Sequence, residues 1–141
     1  MARADALFDR YGAHHRNPVN KAVHWVCVPL ILWSIAGLLW SATPLAAYVA
    51  LAAALGFYLW LSVPIAIGMA LVLAIMLYAL NWLGDRTLVV SATVFVAAWI
   101  GQFIGHAIER SRPSFAEDVR SFLIAPAWLL GFIYRRLGIP Y

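Results

Sequence analysis

Residues 25–84 read WVCVPLILWSIAGLLWSATPLAAYVALAAALGFYLWLSVPIAIGMALVLAIMLYALNWLG, without one charged residue or histidine. A helix crosses a bilayer with roughly 20 apolar residues at about 1.5 Å rise each. The stretch is therefore long enough for nearly three crossings, and two short breaks divide it. Ser41-Ala42-Thr43-Pro44 and Ser62-Val63-Pro64 each place a hydroxyl residue just before a proline, which ends one helix and starts the next. These breaks give a second span from Leu45 to Leu61 and a third from Ile65 to Leu83.

Working outward, Asn17-Pro18 opens the first span. Asparagine can cap a helix, and proline suits the first helical turn because its missing N–H would be unpaired there anyway. This span runs from about Pro18 to Trp40, with a kink expected at Pro29. On the other side, Gly84-Asp85-Arg86-Thr87 is a turn, and Leu88 to about Ile108 makes a fourth span. The expectation is an all-α protein, an integral membrane bundle of four transmembrane helices. It forms a single domain over 1–141: an N-terminal segment 1–17, the bundle 18–108 and a tail 109–141. Residues 1–16 carry Leu7, Phe8 and Tyr11 at helical spacing and suggest a short surface helix. No cleavable signal peptide is expected, because the polar start lacks a short apolar core and a small-residue cleavage site.

Composition agrees with a membrane protein. The chain of 141 residues is 65% hydrophobic and 11% charged, against about 45–50% and about 25% for soluble domains. Its net charge of +4 does not indicate a nucleic-acid partner, since the basic residues flank apolar segments instead of forming one run. With four spans, Arg86 stands alone on one face and every other lysine and arginine falls on the opposite one. That asymmetry places both termini in the cytoplasm, and a bacterial inner membrane is the expected location. Residues 119–134 are apolar but interrupted by Arg120, Ser121 and Pro126. They suit a C-terminal interfacial helix, or one packed under the bundle, better than a fifth span. Cys27 is the single cysteine and excludes an intrachain disulfide.

The polar chemistry lies at the two ends of the apolar body. Tyr11 to Trp25, YGAHHRNPVNKAVHW, holds His14, His15 and His24, and the fourth histidine, His106, lies in GQFIGHAIER. An even number of spans returns the chain to its starting side, so His106 comes back to the other three. Gln102, His106 and Glu109 share one helical face, as do Tyr11 with His15 and Asn20 with His24. Bland roles exist for several: His14 can snorkel to headgroups, Glu109 can pair with Arg110, Arg112 or Lys21, and Gly101-x-x-x-Gly105 is a helix-packing spacing. Convergence of imidazoles with amide and carboxylate neighbours instead suggests a metal site, and imidazole suits iron, zinc or copper.

Tyr11, the run His15-Arg16-Asn17-Pro18-Val19-Asn20 with His24, and Pro29 resemble the first motif of a known family. Gln102-Phe103-Ile104-Gly105-His106 with Glu109 and Pro113 resembles its second, and Ala125-Pro126 its C-terminal one. The family is the small membrane 2-hydroxy fatty acid dioxygenases. The resemblance implies an Fe(II)-dependent enzyme of lipid α-oxidation that takes a 2-hydroxy fatty acid and O₂ and returns an acid one carbon shorter. It implies His15, His24 and His106 as metal ligands, with His14 and Glu109 as alternatives and Glu109 otherwise orienting a histidine. Tyr11, Asn20, Lys21 and Gln102 would serve the substrate or the ligands, with the acyl chain among the helices or membrane lipids. The competing readings are a haem- or other metal-binding electron carrier and a non-enzymatic transporter or scaffold. A di-iron hydroxylase is disfavoured, since four histidines are too few.

Overall fold

The structure is a computed structural model, and it describes residues 2–13, 16–109 and 121–141. His14, His15, Arg110, Arg112, Pro113 and Arg120 lie outside the described residues. Among the described residues six α-helices run in order: α1 (Ala2–Gly12), α2 (Pro18–Ala42), α3 (Pro44–Leu61), α4 (Val63–Leu80), α5 (Thr87–Glu109) and α6 (Ser121–Leu137). Four segments are long and apolar enough to cross a membrane: Pro18–Ala42, Pro44–Leu61, Val63–Leu80 and Gly84–Glu109. The all-α fold and its four spans are as expected, each boundary within a few residues.

The helix starts form for the reasons seen in the sequence. The Val19 N–H donates to Asn17 Oδ1 at 2.9 Å, and the Leu45 N–H to Thr43 Oγ1 at 3.3 Å. Ser62 accepts from the Ile65 N–H at 3.5 Å, the weakest of the three caps. The third span ends at Leu80 instead of Leu83, because residues 81–83 enter the turn before Gly84, whose φ of +54° favours glycine. Leu45, Ile67, Leu71 and Val89 stand exposed around the bundle, as lipid-facing side chains would.

Helix α2 packs chiefly on α5, and small residues set their separation. A Cβ on Gly105 would come within 2.5 Å of Asn20 Oδ1, and one on Gly101 within 2.8 Å of Cys27 Sγ. Higher in the pair, a Cβ on Gly37 would collide with the Ser91 side chain, 2.9 Å from its Cβ. The Gly-x-x-x-Gly spacing therefore works as a packing device, and Cys27 is one of the knobs it receives. Gly37→Val is expected to destabilise the bundle by about 1–3 kcal/mol through overpacking. Unfolding in detergent would measure it, and Ser91→Gly in the same chain should recover part of the loss.

The terminal helices are less peripheral than a surface helix and an interfacial one. Phe8 and Tyr11 of α1 are buried, and Phe8 packs where a Cβ on Gly131 of α6 would reach it, at 2.7 Å. Helix α6 lies against α1, α2 and α4, packed on the bundle. Its Tyr134 hydroxyl donates to the Pro64 carbonyl at 2.7 Å, while Tyr58 of α3 donates to the Leu123 carbonyl at 2.8 Å. The ends of α3 and α6 and the start of α4 are thus tied by hydroxyl-to-carbonyl bonds in an otherwise apolar cluster.

Candidate active site at the histidine end of the bundle

Antiparallel packing of α2 on α5 brings the first turns of one against the last turns of the other. His24 and His106 meet there with ring centroids 5.0 Å apart and planes at 89°. Both are buried, at 1% and 4% exposure. Tyr11 of α1 faces His24 edge-on at 6.5 Å, and Gln102 lies one turn before His106. These four polar residues line one small cavity of about 40 Å³, together with Val28, Trp99 and Phe122. Helix α6 supplies Phe122, which packs on Trp99 at 5.7 Å.

The tautomer of His24 is fixed by its surroundings. Its Nδ1 lies 2.8 Å from the Asn20 carbonyl oxygen. A carbonyl can only accept, so Nδ1 carries the proton and the neutral ring keeps a lone pair on Nε2. A backbone carbonyl holding the other ring nitrogen is the usual support for a metal-binding histidine. Gln102 Oε1 is buried in the same region with no hydrogen-bond partner among the described residues. Such an acceptor costs energy unless a donor arrives. Burial pushes the Tyr11 phenol well above its ordinary range. Tyr11 therefore stays protonated and offers a hydrogen bond, not a base.

Iron can be tested against these residues. Two imidazoles on one ion, with metal–nitrogen distances of about 2.1 Å, bring their ring centres to about 5 Å when the ligands are adjacent. The observed 5.0 Å matches. A haem would sit between two axial rings on its opposite faces, and this edge-to-face contact leaves it no room. Among the described residues no three His, Cys, Asp or Glu side chains form a group that could hold a metal. His24 and His106 are two imidazoles close enough to share one ion, at a spacing that edge-to-face ring packing also gives.

Glu109 lies one turn beyond His106, and its carboxylate reaches the start of α2. It accepts from the Arg16 N–H at 2.7 Å, the Asn17 N–H at 2.6 Å and Asn20 Nδ2 at 3.3 Å. Glu109 therefore ties the start of α2 to the end of α5. Lys21 is apart from the histidine cavity. It lines a separate cleft with Trp25 and residues of α6. Most of the apolar lining escaped the sequence reading, Trp99 and Phe122 among it. Aromatic residues are so frequent in this chain that no local signal separated these from the others.

Comparison with known proteins supplies the remaining constraint. The chain is 29% identical over 135 residues to the 2-hydroxy-palmitic acid dioxygenase MPO1 of Saccharomyces cerevisiae, covering 91% of this chain and 78% of the yeast protein. That relative is eukaryotic, so it lends no support to the expected bacterial membrane. No solved structure matches. The family model described as 2-hydroxy-palmitic acid dioxygenase Mpo1-like matches residues 1–137. The match takes in both motif ends, whose His24 and His106 the fold joins in one cavity, and the chain belongs to the Mpo1-like family.

Proposed function

We propose that this end of the bundle is an Fe(II) site that shortens a 2-hydroxy fatty acid by one carbon with O₂. The observation that carries the reading is the buried His24–His106 pair, with His24 Nε2 left as a lone pair by the Nδ1 bond to Asn20. The names borne by the family and by the yeast relative support the substrate class. In the reaction, the bond between C1 and C2 breaks, C2 becomes the new carboxyl carbon, and C1 leaves as carbon dioxide. The four electrons lost by the acid reduce O₂, so that R–CHOH–COOH and O₂ give R–COOH, CO₂ and H₂O.

Bound iron would supply a docking point for the α-hydroxy carboxylate and for O₂. His24 and His106 would hold it, with His15 as the third ligand and His14 as the alternative. Tyr11 and Gln102 face the same cavity and can orient the substrate: Tyr11 donates a hydrogen bond, and Gln102 Oε1 accepts one from the 2-hydroxyl. Val28, Ile31, Trp99 and Phe122 keep water out. With about 40 Å³, the cavity accommodates the reacting end of the acid only, and the acyl chain must leave it along the helices. The asymmetry of lysine and arginine supports a cytoplasmic side for both termini and the site.

The test is turnover. Protein purified in detergent and loaded anaerobically with Fe(II) is given 2-hydroxypalmitate labelled at C1, then O₂. Pentadecanoate and labelled carbon dioxide should appear together and vanish on chelation of the iron. No shortened acid from the loaded protein, or an equal amount after chelation, would overturn the reading.

A further inference from the structure

Beside the histidine cavity lies a second cleft of about 450 Å³, between the first turns of α2 and the last turns of α6. Lys21, Arg135 and Arg136 line it with Trp25, Trp128 and Phe132, and among the described residues no acidic side chain does. Arg136 is placed over the Phe132 ring at 5.8 Å, and Trp25 meets Phe132 edge-on at 5.5 Å. Arg136 is therefore held at an aromatic rim, and Arg135 Nε donates to the Gly131 carbonyl at 3.4 Å.

Trp25 and Leu129 of this cleft also line a third space, an almost wholly apolar groove of about 140 Å³ between α2, α4 and α6. Met69, Met76, Leu130 and Ile133 form its walls. Leu32 borders this groove on one side and the histidine cavity on the other. Three spaces thus lie in series, basic, then apolar, then histidine-lined, with shared residues at each boundary.

We infer that the basic cleft and apolar groove together bind a fatty-acid carboxylate outside the histidine cavity, as the waiting place of substrate or product. The cations take the carboxylate and the groove takes the chain. Charge complementarity selects an anion, and the apolar groove that adjoins the cations selects one with an alkyl chain. Leu32 is the partition between the held acid and the reaction cavity. The inference deepens the proposed function and rests on it for the identity of the acid, but its test needs no turnover.

A palmitate analogue with a diazirine on its chain is photolysed with the full chain in neutral phosphatidylcholine nanodiscs, and the labelled peptides are mapped. Label is expected on the α4 and α6 segments around Met69 to Met76 and Leu130 to Ile133. The triple variant Lys21→Gln, Arg135→Gln, Arg136→Gln should reduce it about tenfold. Ile133→Trp, which fills the groove and spares the cations, should reduce it equally. His106→Ala should label as the unmodified chain does, so a failed iron site and a failed holding site give different results. Unlabelled palmitate should compete and dioleoyl phosphatidylglycerol should not. Equal competition by the phospholipid would make this a headgroup site, and undiminished labelling in either variant would remove the site altogether.

Discussion

His106→Ala is expected to lose its iron and at least about a thousandfold of turnover. Residues that merely support a ligand cost about 10–100-fold when removed, and loss of one of three ligands should exceed that. His24→Ala should match it. Each histidine is buried against the other, so the remaining ring cannot swing to replace its partner. Elemental analysis of Fe(II)-loaded protein, beside turnover of 2-hydroxypalmitate, measures both effects. His106→Gln guards against misfolding by keeping bulk and polarity in place of imidazole. One iron per chain retained in either His106 variant would remove this residue from the ligand set. Gln102→Ala is the contrast, with iron kept and turnover reduced within the supporting range.

Glu109→Ala is expected to have the largest effect on stability, a loss of about 3 kcal/mol. Hydrogen bonds to charged groups contribute about 1.5–3 kcal/mol each, and among the described residues three reach Glu109, of which the one from Arg16 is exposed and counts for less. The dipoles agree with this placement only in part. A carboxylate at the end of its own helix α5 is disfavoured, while the same charge at the start of α2 is favoured. The antiparallel contact lets the second offset the first. Denaturation in detergent gives the total, and hydrogen exchange at the Arg16 and Asn17 amides gives the local part. Glu109→Gln should keep its iron, because the carboxylate is already engaged by backbone donors. A folded Glu109→Gln protein without iron would instead make the carboxylate a ligand.

The spans were legible because each is written twice, once in its apolar run and once in its cap. Asn17-Pro18 and Thr43-Pro44 mark starts that composition alone would have placed only to within a turn. The meeting of His24 with His106 followed from parity, since an even number of crossings must return the chain to one side. The partners of Glu109 were hidden for a physical reason. Its helical spacing from His106 put it at the same end of the bundle, but two of the groups it binds are backbone N–H donors, which no residue type announces. Lys21 lines a cleft of its own, one step round the helix from the histidine cavity. Asn20 and His24 share one face of α2, and Lys21 and Trp25 share the next, about 100° away. The burial of α1 depended on Phe8 fitting over Gly131, a pairing of distant positions without local pattern.

The glycine seam between α2 and α5 also bears on how the protein meets bilayers of different thickness. Hydrophobic mismatch is ordinarily absorbed by tilting or sliding of individual helices. Asn20 seats at Gly105, Cys27 at Gly101 and Ser91 at Gly37, so an axial slip of one residue would set these groups against neighbours that carry a Cβ. The two helices are consequently keyed like a ratchet and must tilt as one body. A keyed pair of this kind would keep the distance between the two histidines insensitive to thinning or thickening of the membrane.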